Sequence, residues 1–131
     1  MAIQQRNLEA LQHFTLAPTA VRNSTFTGET TNIADLMLLD GDIQIIMDSS
    51  VVTGAGSITC AIEHSNTTTG GDFVAIVPAA TFTAVTSAGA SKQVLTLSKD
   101  DLRRYIRVVG TVSGTASAAY SVNGYGVAKY Q

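Results

Sequence analysis

One stretch constrains the fold more than any other: Leu102-Arg103-Arg104-Tyr105-Ile106-Arg107-Val108-Val109-Gly110-Thr111-Val112. Its second half alternates with period two. Ile106, Val108, Gly110 and Val112 fall on one side, and Tyr105, Arg107 and Thr111 on the other. In an extended chain successive side chains point to opposite faces, so this is a β-strand with one buried face and one wet, positively charged face.

From Ile33 onward, strand signals recur at short, regular intervals, the pattern of an all-β sandwich or barrel. Ile43 to Asp48 follows the turn Asp40-Gly41-Asp42, and Ser57 to His64 follows Gly54-Ala55-Gly56. The turn-rich loop from Ser65 to Asp72 opens onto Phe73 to Val77, which Pro78 closes. Thr81 to Thr86 alternates, with Phe82 and Ala84 opposite Thr81, Thr83 and Val85. Gln93 to Leu97 is another strand. Ser98-Lys99-Asp100-Asp101 has the spacing of a capping box and predicts one helical turn before the arginine-rich strand. Ala118 to Tyr130 ends the chain. Within it Asn123-Gly124 is a type I′ hairpin signal, and the competing reading is one long strand with a bulge at Gly124 or Gly126. Seven or eight strands follow residue 36, without a long helix or internal repeat.

Residues 1–36 read differently. Asn7 to Phe14 fits one or two helical turns, marginal without tertiary support. Beyond it lie Pro18 and a polar run from Arg22 to Asn32. The expectation is an extended N-terminal arm with a short strand or helical turn. Its apolar residues Phe14, Leu16, Val21 and Phe26 are spaced too widely to form a core, so each needs a neighbour to cover it. The fold class expected is therefore all-β: a jelly-roll-like antiparallel β-sandwich over 37–131, preceded by that arm.

With 131 residues the chain is one domain by size. Only 14% of residues are charged, against about 25% in typical soluble domains. Thr, Ser, Gly and Asn fill the difference, which favours strands and turns over helix. A net charge of -2 argues against nucleic-acid binding, which needs a basic footprint. Arg103, Arg104 and Arg107 make a local basic group, but Asp100 and Asp101 stand beside it. No apolar run approaches the length that spans a bilayer, and the N-terminus has no secretory h-region. Synthesis in a cytoplasm is expected, with no membrane partner.

Catalytic signals are few. The lone Cys60 is in phase with Ile58 and Ile62 and reads as a small core hydrophobe. His13 and His64 lie far apart, outside any nucleophile or metal motif, with His64 a polar residue flanking a turn. No Gly-rich phosphate loop is present. Asp40 and Asp42 read as a turn rather than the oxygen-rich loop a calcium ion needs. No enzyme activity, metal or cofactor is expected. Tyr120, Tyr125 and Tyr130 offer either a small sugar platform or half-buried strand residues.

Four successive pieces resemble the small structural proteins encoded among the head genes of tailed bacteriophages. They are Gly56 to Ser65, a strand ending in a Glu and a short polar run; Gly70-Gly71-Asp72-Phe73-Val74-Ala75-Ile76; the Arg-Tyr-Ile-Arg-Val-Val element within Leu102 to Val109; and the small-residue-rich Ser121 to Lys129. The match runs from Gly41 to Gln131. It implies a β-sandwich with a capsid decoration or cement role. Such a protein sits on the outer head shell in the virion, after synthesis in the bacterial host cytoplasm. It stabilises contacts between major capsid subunits. The major capsid protein and a homotrimer of this chain are the expected partners. The arm residues Phe14, Leu16, Val21 and Phe26 would make the intersubunit or shell contacts, with Arg103, Arg104 and Arg107 as further contact candidates. The alternatives are another virion component (head fibre, neck or tail) and a non-catalytic carbohydrate- or surface-binding β-module.

Overall fold

The computed structural model describes residues 11–77 and 79–128. Among these described residues, nine strands form two antiparallel sheets packed as a sandwich. They are β1 (Leu11–Arg22), β2 (Phe26–Thr27), β3 (Ala34–Asp35), β4 (Leu39–Ser49), β5 (Ile58–Ser65), β6 (Val74–Ala75), β7 (Ser91–Ser98), β8 (Tyr105–Val112) and β9 (Ala118–Ala128). One sheet has the order β1-β9-β4-β7, the other β2-β8-β5-β6, with β3 also on β8. The chain therefore crosses repeatedly between sheets: β1 to β2 and β3, back to β4, over to β5 and β6, back to β7, over to β8, and home to β9. That winding is a jelly roll. Among the described residues no helix is long and apolar enough to cross a membrane.

The alternation read in the sequence becomes the core. Ile43, Ile45 and Met47 of β4, Ile58, Cys60 and Ile62 of β5, and Ile106 and Val108 of β8 are buried at 0–1% exposure. Cys60 takes the core place expected of it.

The stretch expected to be an arm is extended, but its described part is built into the body. β1 pairs with β9 from Leu11↔Val127 to Arg22↔Ala118, with register shifts around Ala17. Leu16 and Ala17 are fully buried. β2 and β3 lie end to end along β8. The neighbour that covers Leu16 fully, and Phe14 and Phe26 in part, is this chain's own sandwich. Leu11 to Phe14 is strand, not helix, because β9 supplies a hydrogen-bonding edge that outweighs a weak local preference. Residues 7–10 of that expected turn lie outside the described residues.

β9 is one continuous strand without a hairpin. Asn123 and Gly124 pair with Ile46 and Ile45 of β4 and with Thr15 and Phe14 of β1. Gly124 is needed for space: a Cβ there would overlap the Phe14 ring. The register irregularities lie instead in β1 and between Asp40 and Gln44 of β4. Gly41 sits there at φ 72°, and Asp40 Oδ1 accepts the Gly41 N–H at 2.9 Å.

Two local expectations change. Thr81 to Thr86 forms no regular strand; it meets β5 through the bridges Ala61↔Thr81 and Ile58↔Val85. Between the bridges this segment advances four residues while β5 advances three, so Phe82 and Val85 turn inward and Ala84 is exposed. Gln93 of β7 clips this segment: its Oε1 accepts the Thr83 N–H at 2.7 Å and its Nε2 donates to Thr83 O at 2.8 Å. The predicted turn after Ser98 is a 3-10 turn, Lys99–Asp101, but the Ser98 side chain makes no cap bond.

Candidate interaction surface

Three connections meet at one end of the sandwich: residues 36–38, residues 66–73 and residues 99–104. A backbone bond ties the first to the third, with Leu36 N donating to Arg104 O at 2.8 Å, and Leu102 N donating to Lys99 O at 3.0 Å closes the turn of the third. Lys99 Nζ donates to Met37 O and, in a short bond, to Leu39 O.

The three arginines take different places here. Arg107 points away from the core, as its strand phase requires, yet is only 8% exposed. Its face is covered rather than wet. It stands opposite Glu63 in register, donates from Nε to Glu63 Oε1 at 3.0 Å, and brings its Nη2 within 2.9 Å of the same oxygen. The Phe73 ring lies 4.3 Å from its guanidinium carbon, a stacked cation–π contact.

Arg104 grips Asp35 with both arms of its fork, Nε to Oδ1 at 3.1 Å and Nη2 to Oδ2 at 3.0 Å. Asp35 Oδ1 also accepts the Met37 N–H at 3.0 Å. The Arg104 hydrogen bonds hold the Asp35 carboxyl below its usual range, against a smaller opposing effect of burial and with help from the Met37 N–H. This clamp sets the turn on which Met37 and Leu38 stand 56% and 63% exposed between buried Leu36 and Leu39.

Arg103 is exposed, and its backbone N–H donates to His64 Nδ1 at 3.2 Å. His64 is thus buried on β5 rather than a free turn residue. Burial, and secondarily the Arg103 charge, lower its pKa. The basic trio does not form a cationic patch, since carboxylates take two of its three charges.

The arm residues mostly face inward. Leu16 is fully buried, and Phe14 lies over Gly124. Phe26 is half-buried, with the Arg22 guanidinium carbon 4.4 Å from its ring centroid. Val21, at 73% exposure, alone of the four is open to solvent. Tyr120 and Tyr125 fall on opposite faces of β9, because their spacing is odd. Tyr120 is 1% exposed in the core, while Tyr125 lies outside, its ring 5.1 Å from that of His13. They share no sugar platform, and Tyr130 lies outside the described residues.

Sequence reasoning missed Met37, Leu38 and Val77, the last 87% exposed. The available signal was an apolar run, Leu36 to Leu39, placed where a turn should be polar.

No family model and no curated protein matches this chain. Among solved structures it is similar to a chain of the infectious bursal disease virus Gt strain, with TM-score 0.48, 12% identity, and coverage of 89% of this chain and 33% of that one. It is similar also to a chain of the Gx strain, with TM-score 0.47, 12% identity, and coverage of 88% and 30%. This chain spans about a third of the length of those chains.

Proposed function

We propose that this protein is a structural component of a virion, a decoration (cement) protein on the head shell of a tailed bacteriophage. One observation carries the reading: three of the four sequence pieces that resemble phage head proteins meet in a single cluster. Glu63 lies in the first, Phe73 in the second and Arg107 in the third. Arg107 bonds Glu63 and stacks on Phe73. Matches far apart in sequence thus cooperate in one physical unit, a buried cation held by an acid and a ring.

The body suits the role. A jelly roll with its chain closed into two sheets is a rigid block, and the clamped Met37–Leu38 turn presents apolar contact groups at one end. Fold alone does not assign function, so binding is the test. Heads produced from the genome that encodes this chain, with its gene deleted, are incubated with the purified protein. Saturable binding in a number commensurate with the shell's subunits is expected, with heads that resist heating better once coated. A copy number set by a single vertex assigns a neck or tail position instead. Absence of binding refutes the reading. A native mass of three times the 13.7 kDa chain would mark a preformed trimer.

A further inference from the structure

The end that carries Met37 and Leu38 also carries a cleft of mixed lining. Ile76, Val77, Leu97 and Leu102, with Thr96, Ser98 and Asp101, enclose about 160 Å³ beside the 3-10 turn Lys99–Asp101. That turn links the two features, since Lys99 binds the carbonyls beneath the Met37–Leu38 tip while Asp101 and Leu102 border the cleft. Turns favour Gly, Asn, Asp and Ser, whereas this one places Met37 and Leu38 more than half exposed. Contiguous exposed apolar groups within a polar rim mark an interaction site.

The rim identifies the occupant. Asp40, Asp42, Asp100 and Asp101 are all exposed around the tip and cleft. The two ion pairs among the described residues engage Asp35 and Glu63, so none of these four carboxylates has a cation within bonding range there. Among the described residues, the nearby cations not paired with a carboxylate are Lys99, bound to carbonyls, and the exposed Arg103. Two copies meeting end to end would oppose like charges, which is unfavourable. The rest of the described surface offers no basic patch to receive this end: Arg22 is bound to the carbonyls of Pro18, Ala20 and Tyr120, and Lys92 stands opposite Asp48.

We infer that this end of the sandwich docks a different protein whose surface is basic, with an apolar pocket for Met37 and Leu38 and an apolar side chain for the cleft. Resting on the head-decoration reading, that protein is the shell subunit, and the contact uses Met37 and Leu38 rather than Phe14, Leu16, Val21 and Phe26.

The test uses the full chain and heads made without its gene. Co-sedimentation is measured across a salt series for wild type, for M37S with L38S, for D100N with D101N, and for V21S. Wild-type binding should weaken as salt rises. M37S with L38S should lose about tenfold or more in affinity at unchanged thermal midpoint, since both side chains are already more than half exposed. D100N with D101N should flatten the salt dependence, and V21S should bind like wild type. If wild type binds and M37S with L38S binds equally well, the inference falls and the head-decoration reading stands. If wild type does not bind heads, both fall. A wild-type dimer that M37S with L38S dissociates would overturn the choice of partner.

Discussion

Tyr120, Gly110 and Cys60 meet in the core, and their packing predicts a measurable coupling. The Tyr120 hydroxyl is buried without a hydrogen bond of good geometry, and the Cys60 thiol beside it is at best a weak partner. Burying an unpaired hydroxyl costs about 1–3 kcal/mol. Tyr120→Phe should therefore leave stability unchanged or raise it by about 1 kcal/mol, after the small void it creates is counted. Gly110→Ala runs the other way. A Cβ at Gly110 would overlap the Tyr120 hydroxyl, come 3.0 Å from Cζ, and sit 3.5 Å from Cys60 Sγ. The ring has little room to retreat, with the Arg22 guanidinium carbon 4.6 Å from its centroid. Losing a strand glycine gains roughly 0.5–1 kcal/mol, but forced overpacking costs about 1–3 kcal/mol or more. A net loss of about 2 kcal/mol is expected. With Phe at 120 the worst overlap disappears and only the tight approach to Cζ remains, so Gly110→Ala should cost about 1 kcal/mol or less. Urea unfolding of the four proteins in the double-mutant cycle measures the coupling, expected at about 1–2 kcal/mol. A coupling below about 0.5 kcal/mol would match independent sites and refute this packing. So would Tyr120→Phe alone costing more than about 1 kcal/mol, because the hydroxyl would then have a partner stronger than the Cys60 thiol.

Burial pushes the Cys60 thiol up to about 11 from 9.0 and the Tyr120 phenol up to about 12 from 10.0. The unfolded chain releases these protons first, so stability is complete below pH 9 and falls above it, by about 1.4 kcal/mol per pH unit for each proton; urea midpoints from pH 8 to 11 read this, and a flat profile contradicts it. Removing residues 1–22 should unfold the protein rather than trim it, because β1 and fully buried Leu16 and Ala17 go with it; a cooperative melt and native strand signal in circular dichroism would restore the separable arm. Gln93→Ala should cost about 1–3 kcal/mol by breaking both bonds to Thr83, and Gln93→Glu, which cannot donate to Thr83 O, should recover at most part of it; equal unfolding midpoints for all three would remove the clip.

Much of the architecture was legible because strands bury every second residue. Ile43, Ile45, Ile58, Ile62, Ile106 and Val108 declare their buried side by local phase alone. Positions where the ladder slips escaped that rule. Val85 is buried in place of Ala84 because two bridges to β5 lie unequally spaced on the two chains. Asn123-Gly124 carries a hairpin signal, yet it lies mid-strand because β1 and β4 pair with it on both sides. The Met37–Leu38 surface was hidden in an apolar run whose four members look equivalent in sequence. Buried Leu36 and Leu39 can be told from exposed Met37 and Leu38 only once Asp35 and Arg104 fix the turn.

The sequence by itself determined the all-β class, the phase of the core strands and the inert setting of Cys60, because period-two alternation is a local property of the extended backbone. Tertiary structure decided what each segment pairs with. It turned the apparent arm into strands of the sandwich, covered Arg107 with Glu63 and Phe73, and left Met37 and Leu38 outside. Those outcomes depend on partners tens of residues away along the chain, and only the closing of the two sheets brings them within contact.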